Sequence, residues 1–246
     1  MKLAFSTDKG TRRADNQDYV DVFVNKNGLQ LAIVADGVGG QNAGDVAATM
    51  AVSHIGNDWE TSTLQGVAEV KEWIYAHTQR ENELILTAAK RYKTLQGMAT
   101  TLVIAVVLPN QVVVANLGDS RAYMLRNAQI VQLTQDHNLA SELLRRGAIT
   151  PTEAAEHPGR NLVTRQLGVN EEADPEIHDF KVETGDLLML TTDGLGKVLS
   201  DAEIINTIHE ADSISDAVAG LISKANAKGS PDNITVLLGY QDGKEL

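Results

Sequence analysis

Five aspartates lie beside short apolar runs that are spread over almost the whole chain. They are Asp18, Asp36, Asp119, Asp193 and Asp232. An apolar run of this length predicts a β-strand, and a small or turn-forming residue after each aspartate predicts the edge of that strand. If several strands bring such carboxylates to one rim, they form an oxygen-lined pocket of the kind that hard divalent cations prefer. The sequence therefore predicts a metal site built from residues far apart in the chain.

Two Asp-Gly pairs support this interpretation. Asp36-Gly37 and Asp193-Gly194 each follow an apolar run, and Pro231-Asp232-Asn233 precedes another. A single Asp-Gly pair would indicate no more than a turn, but the repeated arrangement favours a site. Because glycine permits a sharp turn, we expect the Gly37 carbonyl to face the same cation as the Asp36 carboxylate.

Several other chemistries are excluded by what the chain lacks. It has no cysteine, which removes disulfides, zinc-cysteine sites and any cysteine nucleophile. Its six histidines show neither H-x-H nor H-E-x-x-H spacing, and there is no G-x-S-x-G elbow. The glycines at 37–40 do not match G-x-G-x-x-G, and no apolar run ends in D-x-D. The chemistry that remains is hydrolysis by metal-activated water.

Charge and hydropathy limit the partners. The formal net charge of −12 argues against a general nucleic-acid or anionic-membrane surface, because phosphate backbones need clustered Lys and Arg. No run approaches the roughly 18 apolar residues of a membrane span, and the first residues do not form a long apolar segment. We expect a cytoplasmic protein and, since nothing indicates an oligomer, a monomer.

The coarse pattern predicts an α+β fold of 246 residues as one domain. Strands are predicted at 3–7, 19–24, 29–35, 100–108, 111–117, 122–126, 130–133, 176–181, 186–191 and 234–240. Helices are predicted at 43–59, 66–92, 201–210 and 213–228. Turn residues at 25–28, 109–110 and 127–128 separate strands by two to four residues, which predicts hairpins and antiparallel sheets. Two such sheets stacked face to face with helix pairs outside would use every element.

Residues 138–166 differ from the rest. A helix is predicted at 138–146, and Gly147, Pro151, Pro158 and Gly159 then interrupt the pattern. A connection this long is often functional, so we interpret it as a flap over the site; an ordinary surface insertion is the alternative. Arg160 and Arg165 would then help to steer the substrate.

Six ordered motifs resemble those of the metal-dependent type 2C Ser/Thr protein phosphatases. They are R-A-D-N-Q-D at 13–18, V-A-D-G-V-G-G at 34–40, G-M-A-T-T at 97–101, G-D-S-R at 118–121, T-D-G at 192–194 and D-N-I-T at 232–235. The match runs from about residue 3 to 240 and looks most like the compact bacterial members that oppose membrane-bound Ser/Thr kinases.

The resemblance implies a four-layer α-β-β-α sandwich with two manganese or magnesium ions in the cleft between its sheets. By motif position, Asp36 would bridge both ions, the Gly37 carbonyl would bind one, and Asp193 and Asp232 would hold the other.

Three further residues have implied roles. Asp18 would support the site through metal-bound water, and Asp119 with Asp193 would form a weaker third site. Arg13 would bind the substrate phosphate, for which the bidentate guanidinium is suited, while its neighbour Arg12 is expected to be solvated.

Two positions depart from the family pattern. Many relatives carry Glu where Gln17 stands, so a water-mediated metal role is weakened there. Bacterial relatives often carry His where this chain has Gln41, and Gln cannot act as a general acid. The leaving group would then be protonated by metal-bound water.

The expected function is one-step hydrolysis of phosphoserine and phosphothreonine on proteins, reversing a Ser/Thr kinase. Two alternatives stay open at this point. One is a non-catalytic phosphoprotein-binding module on the same fold. The other is a metal-dependent phosphoesterase of another class, acting on small molecules or nucleotides.

Overall fold

The computed structural model describes residues 1–38 and 40–241, and for residues 40–42 the backbone alone. The strands are β1 (Lys2–Asp8), β2 (Asp18–Val24), β3 (Gln30–Val38), β4 (Ala99–Thr100), β5 (Leu102–Leu108), β6 (Gln111–Leu117), β7 (Arg121–Arg126), β8 (Gln129–Gln132), β9 (Glu176–Lys181), β10 (Leu187–Thr191) and β11 (Ile234–Tyr240). The helices are α1 (Gly40–Thr61), α2 (Val67–Arg91), α3 (Leu139–Arg145), α4 (Pro151–Glu156), α5 (Asp193–Gly196), α6 (Asp201–His209) and α7 (Ile214–Ala227).

The strands form two antiparallel sheets. The first has the order β1-β11-β10-β7-β8, and the second has the order β2-β3-β5-β6-β9, with β4 paired to β3. The three predicted hairpins join β2 to β3, β5 to β6 and β7 to β8. In the last of them Asn127 and Ala128 both have positive φ, of 51° and 58°, as a two-residue hairpin requires.

Side-chain alternation along the strands separates three apolar layers. In β3, Leu31 and Ile33 pack in one buried cluster with Trp59 of α1 and Ile74 of α2. The alternate residues of β3 pack between the two sheets, in a cluster that includes Leu188 of β10. The outer face of the first sheet packs against α6 and α7 in a third cluster. The predicted α-β-β-α sandwich is therefore confirmed.

The long helices were predicted to within about three residues, and their ends show why. Ser200 accepts a hydrogen bond from the Glu203 N–H at the start of α6, and Ser213 accepts one from the Asp216 N–H at the start of α7. Such N-caps satisfy backbone donors that the helix leaves free. Gly229 follows α7 with φ +72°, as predicted for its C-terminal stop.

Residues 138–166 hold more helix than expected. Pro151 begins α4 rather than breaking a helix, because Thr150 caps it and proline is tolerated in the first turn. A short 3₁₀ helix follows at Pro158–Asn161. The segment returns to its starting point, where Asn138 pairs with Val163 in an isolated antiparallel bridge.

No helix in the described parts of the chain combines the length and the apolar character that a membrane span needs.

Candidate active site

The first two predicted aspartates face each other on adjacent strands. Asp18 is the first residue of β2, and its register partner on β3 is Asp36. Asp18 Oδ2 accepts hydrogen bonds from Thr192 Oγ1 at 2.8 Å and Thr235 Oγ1 at 2.6 Å, both from the other sheet. Like charges directly opposite on neighbouring strands destabilise a sheet, so this pair needs either protons or a cation.

Two threonines of the G-M-A-T-T motif hold the backbone at Asp36. The Asp36 N–H donates to Thr101 Oγ1 at 3.0 Å, and Thr100 Oγ1 donates to the Asp36 carbonyl at 3.0 Å. The sequence indicated this motif only through the resemblance. Its part here is to fix the carboxylate of β3.

Gly37 is needed for a different reason from the predicted one. It lies within β3, has no positive φ and makes no sharp turn. A Cβ at Gly37 would lie 2.1 Å from the carbonyl oxygen of Gly44 in α1 and 2.7 Å from that of Gln17. The glycine therefore allows three backbone segments to approach closely behind Asp36.

Asp193 also differs from expectation, because it begins the short helix α5 instead of entering a turn. A Cβ at Gly194 would lie 1.9 Å from the Asn233 carbonyl oxygen, so α5 packs directly on the loop that carries Asp232. Lys197, one turn after Asp193, places its Nζ 2.5 Å from Asp193 Oδ2 and 2.8 Å from Asp232 Oδ2.

Asn233 connects the Arg13 loop to β11. Its Oδ1 accepts from the Gln17 N–H at 2.9 Å, and its Nδ2 donates to the carbonyls of Lys9 at 2.8 Å and Asp15 at 2.9 Å. In the sequence, only the D-N-I-T motif pointed to Asn233, because its partners are more than 200 residues away. The hydrogen bonds hold the start of β2 beside Asp232.

Asp119 follows Gly118, whose φ is +119°. Ser120 Oγ lies 2.7 Å from Thr101 Oγ1, which ties this loop to the residues that hold Asp36. Asp119 is buried, and it lines the same cleft as Asp193.

Arg13 reaches the cleft as predicted. Its Nη2 lies 2.8 Å from Asp232 Oδ1 and its Nε donates to the Pro231 carbonyl at 3.2 Å, while half of the side chain stays exposed. Arg121 instead binds Asp136, donating from Nε at 2.8 Å and from Nη2 at 2.6 Å. Both side chains keep exposed surface, 50% for Arg13 and 36% for Arg121, but the Arg121 guanidinium is held by two hydrogen bonds to Asp136.

The cleft has a volume of about 720 Å³. It is lined by Arg13, Asp119, Asp193, Lys197 and Asp232, and also by flap residues that include Ser141, Ala155 and Arg160. Arg165, also predicted to face the substrate, is not among the lining residues; it lies 3.4 Å from Asp174 and 3.9 Å from Glu176.

Burial and mutual repulsion raise the pKa of several of these carboxyls. Burial, followed by the charges of Asp18, Asp193, Asp232 and Asp119, raises the pKa of Asp36 well above its ordinary value. Burial raises the pKa of Asp18 to about 7, against the lowering effect of its threonine donors. The five predicted aspartates therefore lie close enough to repel one another.

The pKa values of the other three carboxyls depend on how far a nearby positive charge offsets the effect of burial. Burial raises the pKa of Asp119 to about 7, with the Asp193 charge adding to it, and it raises the pKa of Asp193 against the opposing Lys197 charge. Burial would also raise the pKa of Asp232, but Lys197 and Arg13 reverse the effect and lower it.

The donor set suits divalent cations. All five side chains offer carboxylate oxygens, and the buried Asp18 Oδ1 and Asp193 Oδ1 find no hydrogen-bond partner among the described residues. Carboxylate oxygens with unused lone pairs are ligands that magnesium and manganese prefer. Even so, no three His, Asp or Glu side chains of the described residues lie close enough together in this arrangement to hold an ion. The ammonium of Lys197 lies between Asp193 and Asp232.

Of the two departures, Gln17 lies in the loop held by Asn233. Gln41 falls outside the residues whose side chains are described.

Comparison with known proteins agrees with this geometry. The family described as protein phosphatase 2C matches residues 9–237. A serine/threonine phosphatase stp of Listeria welshimeri is 41% identical over 97% of this chain and 95% of its own length. The protein phosphatase PhpP of Streptococcus pneumoniae is 38% identical over 97% of this chain and 96% of its own. The solved structure of the S. agalactiae serine/threonine phosphatase superposes with a TM-score of 0.94 at 35% identity, covering 98% of this chain and 99% of that one.

The chain belongs to the protein phosphatase 2C family. It is accordingly a hydrolase, a protein phosphatase of the bacterial type, and members of this family are in general metal-dependent.

Proposed function

We propose that this serine/threonine phosphatase hydrolyses phosphoserine and phosphothreonine on proteins in one step, with water activated at a dinuclear manganese or magnesium centre. The observation that carries the proposal is a set of five mutually repelling carboxyls, three of which (Asp119, Asp193 and Asp232) line one cleft beside Arg13. The family relationship supports the phosphoprotein substrate class.

The proposed ligands are those that the family resemblance implies by motif position. Asp36 would bridge the two ions and the Gly37 carbonyl would bind one of them. Asp193 and Asp232 would hold the other, Asp18 would support the centre through bound water, and Asp119 would serve a weaker third position. Two divalent ions in such a centre lower the pKa of a shared water and stabilise charge on the attacking and leaving oxygens.

Residues of the chain position the substrate. Arg13 lies at the edge of the carboxylates with half of its side chain exposed, so its guanidinium would clasp the phosphoryl oxygens once it leaves Asp232. Thr100 and Thr101 hold the backbone of Asp36, and Thr192 and Thr235 hold the carboxylate of Asp18.

The flap segment (residues 138–166) would contribute to substrate choice, as part of a single catalytic domain over 1–246. Arg160 lines the same cleft as Arg13, which supports a role in steering phosphorylated chains. Replacing the flap by a short linker should change the preference among phosphopeptides more than the turnover of p-nitrophenyl phosphate. Equal losses on both substrates would argue for a purely structural segment.

The biological setting is part of the same proposal. We expect a monomer in the cytoplasm that opposes a Ser/Thr kinase by removing phosphate from its protein products.

A substrate panel tests the proposal. Phosphothreonine peptide, a nucleoside monophosphate and p-nitrophenyl phosphate are each incubated with the wild type and with Asp36→Asn in saturating manganese. We expect turnover of the peptide by the wild type and loss of it in the variant. Turnover of the nucleotide alone would indicate another phosphoesterase, and peptide binding without turnover would indicate a binding module.

A further inference from the structure

Lys197 places a positive charge between two of the proposed ligands. Its Nζ lies 2.5 Å from Asp193 Oδ2 and 2.8 Å from Asp232 Oδ2, and its side chain is 27% exposed. Both oxygens therefore face an ammonium group that belongs to the chain itself. Nothing in the role of the aspartates accounts for a lysine at this position.

Local geometry fixes this placement. Lys197 follows α5, and its N–H donates to the Asp193 carbonyl at 3.0 Å, so the two side chains lie one helical turn apart on the same face. The loop that carries Asp232 is held against α5, because Ser230 Oγ donates to the Gly194 carbonyl at 2.8 Å. One helical turn and one buried hydrogen bond thus bring both carboxylates to the same ammonium group.

The electrostatic consequence has a clear direction. The ammonium lies within 2.8 Å of an oxygen of each carboxylate, so its positive charge offsets part of their negative charge. A monovalent cation that already neutralises two carboxylates reduces what a divalent ion gains there, and it repels that ion until it moves away. Because 27% of the side chain is exposed, a path into the cleft is open to it.

The geometry points to Lys197 as a built-in counter-ion that closes the Asp193–Asp232 cation position without metal and must be displaced before a divalent ion binds there. This inference rests on the proposed metal centre. It assigns Lys197 a regulatory part: the lysine sets how much manganese or magnesium the enzyme needs, and it protects the metal-free fold from repulsion between the two aspartates.

The direct test is calorimetric titration of manganese into metal-stripped protein. Lys197→Gln should bind manganese at least about tenfold more tightly than the wild type, a change of about 1.4 kcal/mol. Lys197→Arg, which keeps the charge, should bind as weakly as the wild type. Lys71→Gln is the matched control, because Lys71 also pairs with an aspartate at 2.5 Å, Asp179, on the outer side of the molecule.

Thermal unfolding supplies a second readout. Without metal, Lys197→Gln should melt at a lower temperature than the wild type, because Asp193 and Asp232 lose their shared counter-ion. With saturating manganese the deficit should shrink or reverse, so the metal-induced shift in Tm is larger in the variant than in the wild type or Lys71→Gln.

The outcomes separate this inference from the proposed function. Equal manganese affinity in Lys197→Gln and the wild type, with binding lost in Asp193→Asn, would overturn the counter-ion role and leave the metal centre standing. Absence of manganese binding in every variant would overturn both. Manganese binding that is tighter than in the wild type for Lys197→Gln, but not for Lys71→Gln, would support both.

Discussion

Arg13 is the residue of the cleft that we expect to bind the substrate phosphate. Its guanidinium contacts the Asp232 carboxylate and the Pro231 carbonyl at the edge of the cleft. It is therefore held at the surface and not in the interior of the fold. The guanidinium contacts one oxygen of Asp232 through Nη2, and a phosphoryl group would offer it two oxygens for a bidentate contact. Exchange of one anion for the other requires only a short movement of an exposed side chain.

Replacing Arg13 should therefore affect phosphopeptide hydrolysis. Arg13→Ala should lower kcat/KM by about tenfold or more, since a hydrogen bond to a charged group contributes about 1.5–3 kcal/mol. Arg13→Lys should lie between the variant and the wild type, because lysine keeps the charge but loses the bidentate geometry. The matched control is Arg12→Ala, at the exposed neighbouring position, which should keep the wild-type value. Equal losses in the Arg12 and Arg13 variants would show a general charge effect.

Residue types and spacing singled out the five aspartates and Arg13, and the structure places these side chains near one another. Type and spacing were not sufficient to predict the side chains that hold them. Asn233 and the threonines at 192 and 235 act through hydrogen bonds to the start of β2, and these partners are known only once the two sheets are stacked. Lys197 was missed because its i,i+4 relation to Asp193 exists only if α5 is a helix.

At the scale of elements, strands and long helices followed from local signals. Runs rich in Val, Ile and Leu between turn residues marked the hairpins, and helical spacing marked α1, α2, α6 and α7. The helices α4 and α5 have six and four residues, too few for periodicity to appear. Gly37 was singled out for a sharp turn, whereas the structure shows a close approach of α1 to β3, which no local pattern contains.

That approach predicts the effect of a single methyl group. Gly37→Ala would place Cβ 2.1 Å from the Gly44 carbonyl oxygen, so β3 and α1 must separate. We expect a loss on the order of 3 kcal/mol in the free energy of unfolding, the upper range for overpacking. Urea denaturation measures it. The control is Gly66→Ala, where the nearest atom to the new Cβ is 3.5 Å away and the change should cost less than about 1 kcal/mol.

The α1–α2 pair carries a separate, pH-dependent element. Glu81 of α2 is buried, and burial raises its pKa from 4.5 to about 7, although His54 of α1 lies 3.0 Å away and lowers it. Because the folded state binds the proton more tightly than the unfolded state, this group stabilises the protein fully below about pH 4.5. The contribution is lost as the pH rises through about 7.

Glu81→Gln removes the titrating group and keeps a hydrogen-bonding side chain. We expect the stability of the variant relative to the wild type to increase from pH 5 to pH 8 by roughly 1–3 kcal/mol, since one pKa unit is about 1.4 kcal/mol. Denaturation at the two pH values measures the change, with the exposed Glu83→Gln as control. A gain that is the same at both pH values would exclude the titration as its cause.

At the scale of the whole molecule, the stacked sheets explain why the candidate ligands are so far apart in sequence. Asp18 and Asp36 belong to the second sheet, whereas Asp193 and Asp232 lie next to β10 and β11 of the first. The hydrogen bonds from Thr192 and Thr235 to Asp18 cross from one sheet to the other. The site thus forms only when both sheets have folded and packed, and ions bound there would stabilise their association.

The most direct test of the metal-dependent phosphatase is hydrolysis of a phosphothreonine peptide by metal-stripped enzyme, with and without added manganese. We expect no turnover without metal, turnover on addition of manganese, and no turnover by Asp193→Asn under either condition. Turnover that persists in the metal-stripped enzyme, or in Asp193→Asn at the wild-type rate, would contradict it.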